Sequence, residues 1–359
     1  MLRGCGALQI EPTDHCNLRC VMCRPQTEPG RAPHGNARKG MMDTALFRRI
    51  IDSIAADGVP FDHLILQWLG EPSLNPHLPE MLEHSLSRAR GNFLYFRIDT
   101  NAVLTGEGFA SRLDRIIAAS PGTTTLLVFS LDAASRGTYA RAKGIDAFDT
   151  VVQNIDRLFS ARAALPPGAG TLNFQFQFVV QDANAHEAGA FVRHWKTRID
   201  EGRRDGCFDE IMLKRISIGA GGPRQTAADD LYDATLRREG LDEAVGPHFA
   251  LRVWKRTMWN AAPAGAGRGT QERPPCPALW KTPVVRWDGR LHVCCADTEG
   301  AIEVGSLAGA TFRELWEGER MRAYRTLHAR GRFDRMPLCG TCAGVGFYDL
   351  AGDEIAPYR

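Results

Sequence analysis

The feature that most narrows what this chain can fold into is an alternation. Short runs rich in β-branched and aromatic residues, Ala7 to Ile10, His63 to Trp68, Leu94 to Thr100, Thr125 to Asp132, Asn173 to Val180 and Glu210 to Ser217, alternate with stretches whose apolar residues recur at helical spacing, as Leu46, Ile50, Ile51 and Ile54 do. Strand and helix exchange about six times over roughly 210 residues. Such a pattern predicts a parallel sheet with crossover helices, either a partial (β/α)6 TIM-like barrel or a doubly wound sheet. In both cases active residues gather at the C-terminal ends of the strands.

After Ser217 the pattern breaks. Gly219 to Pro223, a helical stretch around Asp229 to Glu239 and a Pro/Gly-rich passage from Ala261 to Pro275 read as linker and insertion. Two short strands follow, Val284 to Trp287 and Leu291 to Cys294, joined by Asp288-Gly289, a strong hairpin signal, and then a helix from Thr311 to His328. The expected organisation is a barrel over residues 1–220, a linker over 221–270 and a small hairpin-plus-helix domain over 271–359.

Basic and acidic side chains nearly balance, 44 against 42, which excludes a polyelectrolyte tail. The basic groups between Arg252 and Arg273 are not interleaved with an aromatic ladder, so no nucleic-acid partner is expected. No apolar run reaches the roughly 20 residues of a membrane span, and Met1 to Pro12 lacks the greasy core of a signal peptide. A cytoplasmic protein with no membrane partner is the expectation. Ten cysteines in a reducing compartment then point to metal, cluster or redox chemistry rather than disulfides.

Three of these thiols, Cys16, Cys20 and Cys23, follow the first strand with spacings of three and two residues. Three thiolates on a cubane leave the fourth iron open, which separates a reactive cluster from a four-cysteine electron carrier. The alternative is a structural zinc site completed by His15. The motif resembles the signature of the radical S-adenosylmethionine (SAM) superfamily, with Met22 where an aromatic residue usually stands. The resemblance extends further along the chain. Leu69-Gly70-Glu71-Pro72 resembles the segment that binds the SAM amino group, which implies roles for Gly70 and Glu71. Thr100-Asn101 resembles the family's turn after strand three and brings in Asn101. Ser130-Leu131-Asp132, with Tyr139, Arg141 and Lys143, is similar to the segment that holds the SAM ribose and carboxylate. Ser130, Asp132 and Arg141 are the implied contacts, with Lys143 as the alternative to Arg141. Gln177 and Asn184 near the end of strand five also match, though a Gln on an alternating strand is commonly structural.

In the tail, Cys276 precedes Gly289 by twelve intervening residues, four residues separate Gly289 from Cys294, and Cys339-x2-Cys342 returns after the helix. Four such thiols fit a tetrahedral zinc knuckle or an iron–sulfur cluster. The spacing resembles the first half of the SPASM motif, or its shortened Twitch version. The resemblance implies one auxiliary [4Fe-4S] cluster in addition to the SAM-binding [4Fe-4S] cluster. The x4 spacing selects Cys294 over its neighbour Cys295.

What the resemblance implies for function is reductive cleavage of SAM to a 5'-deoxyadenosyl radical, with a reduced flavodoxin- or ferredoxin-type protein as electron donor and a small molecule or a peptide as substrate. A small sugar or aminocyclitol is the favoured substrate, with oxidation of a secondary alcohol to a ketone and the auxiliary cluster as electron acceptor. Epimerisation, with Cys207 or Cys295 returning a hydrogen atom, and a non-enzymatic cluster- or zinc-binding module are the rivals. One of Lys214 and Arg215 should face the barrel mouth, and Arg215 is taken as the catalytic candidate. Trp254, Trp259 and Trp280 are candidates for a substrate wall, against the plainer expectation that they are core.

Overall fold

The computed structural model describes residues 5–23, 39–216, 223–254, 273–340, 342 and 348–359. The six expected strands form: β1 (Cys5–Ile10), β2 (Phe61–Leu66), β3 (Phe93–Thr100), β4 (Thr124–Ser130), β5 (Thr171–Val180) and β6 (Asp209–Arg215). They lie side by side in chain order and pair in parallel. Helices α1 (Thr44–Asp57), α2 (Leu78–Arg88), α3 (Glu107–Ala118), α4 (Arg136–Lys143), α5 (Phe148–Ala164) and α6 (Ala188–Glu201) make the crossovers. This is the α/β partial barrel expected from the alternation.

The sheet runs past those six strands at both edges. Within the stretch expected as linker, helix α7 (Pro223–Glu239) leads through β7 (Ala244–Val245) to β8 (Phe249–Val253), which pairs in parallel with β6. At the other edge β9 (Val284–Val285) pairs in parallel with β1, and the tail hairpin continues through β10 (Arg290–His292) to β11 (Glu303–Ser306). The tail is therefore hydrogen-bonded directly to the first strand of the barrel. The expected tail helix is divided into α9 (Phe312–Trp316) and α10 (Glu319–Ala329), following the short α8 (Ala278–Lys281). Residues 221–222 and 255–270 of the expected linker, with Trp259, lie outside the described residues, as do 217–220 and 271–272 on either side of it.

Strand alternation sorts the two faces of the sheet. Phe174, Phe176 and Phe178 are fully buried against the helices; Phe176 stacks on Trp195 of α6 with ring centroids 4.4 Å apart, and Phe178 packs on Phe191. Burial of each such ring contributes about 1.5–3 kcal/mol. The intervening Gln175 and Gln177 necessarily face the other way, into the barrel lumen. At the N-terminal end of the barrel Arg162 Nη1 of α5 donates to both carboxylate oxygens of Asp209, at 2.7 and 2.9 Å, both residues being buried, and closes the bottom of β5 and β6.

Candidate functional site

The loop after β1 carries Cys16, Cys20 and Cys23 and is pinned to the end of α4. Arg19 N–H donates to the Lys143 carbonyl and Val21 N–H to the Ala142 carbonyl, each at 3.0 Å. Gly144 terminates α4 in the left-handed region (φ 75°), and a Cβ there would stand 2.6 Å from the Arg19 carbonyl oxygen. Only glycine lets the loop come this close. Cys16 and Cys23 reach the surface while Cys20 is buried. A hydrogen bond from Cys23, aided by the Lys143 charge, holds the Cys20 thiol down to about 7 against the opposing effect of burial. Burial pushes Cys16 up.

The loop after β2 presses on the same segment. A Cβ on Gly70 would lie 2.3 Å from the Thr13 carbonyl oxygen, and Glu71 N–H donates to the His15 carbonyl at 2.7 Å. The Glu71 carboxylate is buried among its own donors: Oε1 accepts from Ser73 Oγ (2.6 Å), Ser73 N–H (3.1 Å) and Thr100 Oγ1 (2.7 Å), and Oε2 from Asn101 N–H (2.7 Å). Burial outweighs these bonds and raises its pKa. Asn101 Nδ2 reaches back to Asn17 Oδ1 at 2.8 Å. Gly70, Glu71 and Asn101 thus brace the cysteine loop from the ends of β2 and β3.

Beyond β4, Ser130 is half-buried, whereas Asp132 (φ 57°) and Lys143 are both 1 % exposed and form an ion pair at 2.5 Å. Asp132 Oδ1 also accepts from Val179 N–H, and Asn184 Nδ2 donates to the Asp132 carbonyl. Arg141 is exposed and donates to Thr138 Oγ1. Gln181 Nε2 approaches Met22 Sδ at 3.9 Å, joining the cysteine loop to the end of β5.

The lumen holds a continuous polar wire. Lys214 Nζ donates to Gln177 Oε1 (3.1 Å), Gln177 Nε2 to Gln175 Oε1 (2.8 Å) and Gln175 Nε2 to Glu210 Oε2 (2.7 Å); Glu210 Oε1 accepts from Arg252 (3.1 Å). Arg97 and Asp99 of β3 pair alongside at 2.5 and 2.6 Å. Asp99, Asp132 and Glu210 each have their own cation, and among the described residues Lys214 has no carboxylate partner. Desolvation, then the Arg97 charge, pushes the Lys214 amine down to about 8. Arg215 projects to the other face and engages Asp229 and Asp233 of α7. The alternation of β6 therefore directs Lys214, not Arg215, into the lumen.

In the tail, Cys276, Cys294 and Cys339 are buried and Cys342 is half-buried. Their mutual proximity registers in their acidities. Burial and the neighbouring Cys276 and Cys342 push Cys339 up to about 12, and burial, then Cys295 and Cys276, raises Cys294. Cys295 is half-buried; its thiol is pushed up to about 11 by burial and lies within electrostatic reach of Cys276, Cys342 and Lys214. Trp68 Nε1 donates to the Cys295 carbonyl at 3.0 Å, tying the segment before Gly70 to this hairpin. Trp280 is buried and edge-on to Tyr358, while Trp254 lies 5.4 Å under the Lys214 amine.

Cys207 is placed apart from all of this. It precedes β6 beside Arg162 and Asp209, seven residues before Lys214, about 20 Å along an extended strand. Of the two candidate donor thiols, Cys295 alone is near the lumen. The residues that sequence reading passed over are Arg97, Asp99, Gln175 and Glu210; strand alternation marked them as lumen-facing, but only strand neighbours show which charges pair.

The donor sets fit the groups the motifs imply. Three thiols share one loop that two glycine contacts bring against the end of α4 and the loop after β2, and a second thiol set is gathered by the hairpin and the returning Cys-x2-Cys. Comparison with known proteins agrees. Residues 10–163 match the radical SAM superfamily model, and residues 276–343 match SPASM, an iron–sulfur cluster-binding domain. The fold is similar to that of native anSMEcpe with bound AdoMet (15% identity, TM-score 0.56, covering 98% of this chain and 96% of that one). It is also similar to Streptococcus suis SuiB bound to S-adenosylmethionine (12% identity, TM-score 0.56, 95% and 72%). Cys276, Cys294, Cys339 and Cys342 thus lie in the span matched to an iron–sulfur cluster-binding domain, and the chain carries a radical SAM domain over residues 10–163 followed by a SPASM domain over residues 276–343.

Proposed function

We propose that the protein oxidises a secondary alcohol of a small polar substrate, a sugar or cyclitol, to a ketone within the barrel lumen. The observation that carries this reading is the wire ending in Lys214: a positioned amine with no carboxylate partner among the described residues, in a polar lumen, within electrostatic reach of Cys295 of the tail. Cys16, Cys20 and Cys23 would hold the first cluster. Cys276, Cys294, Cys339 and Cys342 would hold the second. Gly70, Glu71, Asn101, Ser130, Asp132 and Arg141 remain the proposed surroundings of SAM, the first three through the loop they brace and Asp132 through its pair with Lys143. When bound, these groups supply a hydrogen-atom acceptor and an electron acceptor.

The chain's own part is to orient one carbinol and move one proton. Gln177 holds the Lys214 amine in place, and the neutral form of that amine takes the hydroxyl proton, forming N–H as O–H breaks. The Arg97–Asp99 pair and the glutamines offer donors and acceptors to neighbouring hydroxyls. A reduced flavodoxin- or ferredoxin-type donor supplies the initiating electron.

Epimerisation is the second reading, favoured by one observation: the half-buried Cys295 lies within electrostatic reach of Lys214, so a thiol stands on the same side of the lumen as the amine. Turnover in deuterated water separates the two. The ketone carries no solvent deuterium at the oxidised carbon; a product with one solvent deuteron there, lost in Cys295→Ala, would make the protein an epimerase. Formation of 5'-deoxyadenosine with peptides alone would overturn the small-molecule reading.

A further inference from the structure

Arg286 lies in the turn between β9 and β10, is 1 % exposed, and points its charge out of its own domain. Its Nη2 stands 3.7 Å from Oδ2 of Asp14, which is fully buried two residues before Cys16. The other Asp14 oxygen accepts from Gly40 N–H at 2.9 Å. Glu11, also fully buried, accepts from Leu69 N–H at 3.2 Å and from Trp287 N–H at 3.4 Å. Four segments therefore meet around two carboxylates and one guanidinium: the end of β1, the root of the cysteine loop, the residue preceding Gly70, and the tail hairpin. Among the described residues, Nε and Nη2 of Arg286 and Oδ2 of Asp14 are buried without a hydrogen-bond partner. A shift of less than 1 Å would turn the 3.7 Å approach into a charge-assisted bond.

We propose that Arg286 is a positioning residue through which the auxiliary domain sets the geometry of the first cysteine loop. The guanidinium is the counter-charge for both Glu11 and Asp14, so without it two buried carboxylates repel each other at the root of the loop. Asp14 in turn stands where the Thr13 and His15 carbonyls receive the Gly70-Glu71 loop, so a displaced Asp14 moves both halves of the SAM site. Coupling of this kind is reciprocal: binding at the loop and integrity of the hairpin strengthen each other. The inference rests on Cys16, Cys20 and Cys23 ligating the first cluster. If that assignment fails, the unmutated protein itself shows no SAM-dependent spectral change, which is distinct from a failure confined to the variant.

The test uses anaerobically reconstituted full-length protein, with S-adenosylmethionine as the probe. In Arg286→Met, SAM affinity is expected to fall at least about tenfold. The SAM-induced change in the paramagnetic resonance spectrum of the first cluster is expected to shrink while the auxiliary cluster's signal is kept. Arg286→Lys restores most of both, because it returns the charge. Unchanged affinity and spectrum in Arg286→Met overturn the proposal, as does loss of the auxiliary signal alone. If Arg286→Met does not fold, the double variant Arg286→Met/Asp14→Asn removes the uncompensated charge. It is expected to fold and still bind SAM weakly, and wild-type affinity in it overturns the proposal.

Discussion

Lys214 donates to Gln177 across the β5–β6 pair at 3.1 Å, so an amine lowered to about 8 is held in one place in the lumen. Ketone formation is accordingly expected to rise with pH, with a midpoint near 8, as the neutral amine accumulates. Formation of 5'-deoxyadenosine stays level, because hydrogen abstraction precedes the proton's departure. Lys214→Met abolishes the rise. The same shift bears on stability. The folded amine binds its proton less tightly than an unfolded lysine, whose pKa is about 10.4, so its destabilising effect is full below pH 8 and fades as pH rises to the unfolded value. Urea titrations of wild type and Lys214→Met at pH 7 and pH 10 check this: the wild type gains relative to the variant.

Glu71→Ala leaves the Ser73 and Thr100 hydroxyls and the Asn101 N–H without their acceptor. Stability is expected to fall by about 2–3 kcal/mol, since each unsatisfied buried donor costs about 1–3 kcal/mol and some relax. SAM affinity falls with it. Glu71→Gln retains an acceptor and is expected to keep most of the stability. Thermal unfolding of both variants reads the difference, and an unaltered Tm in Glu71→Ala would remove the bracing role of this carboxylate.

Gly144→Ala combines a left-handed backbone with a contact 2.6 Å from the Arg19 carbonyl. Strain of about 1–3 kcal/mol is expected at this point. Because α4 itself can persist, the effect falls on the cysteine loop: iron at the first site drops while the auxiliary cluster is retained. Iron counts and cluster spectra after reconstitution make the measurement.

Cys339→Ala with Cys342→Ala is expected to lower bound iron from about eight to about four per chain and to leave 5'-deoxyadenosine formation in place. Product formation stops, because the electron released on oxidation has lost its acceptor. Product formed at the normal rate would exclude that role for the auxiliary cluster.

The pattern of the sequence was sufficient for the barrel and the cysteines. Six strands could be read because one face of each buries against helices, which imposes β-branched and aromatic residues, and the matched domains could be read because Cys16-x3-Cys20-x2-Cys23 and Cys339-x2-Cys342 are local patterns. The tail hairpin was legible for a similar reason: Asp288-Gly289 meets a turn's own backbone demand. What the sequence left open depends on partners distant in the chain. β8 lies in the stretch expected as linker and becomes a strand because β6 offers it an open edge, and the pairing of β9 with β1 joins two segments more than 270 positions apart. Lys214 and Arg215 are equivalent as letters. The lumen, with Gln177 and the Arg97 charge beside one and Asp229 and Asp233 beside the other, makes them different groups. Glu71 is an isolated acid in sequence and the centre of four hydrogen bonds in the fold. Asp14 and Arg286, 272 positions apart, were unremarkable singly, and only the pairing of β1 with β9 sets one charge against the other.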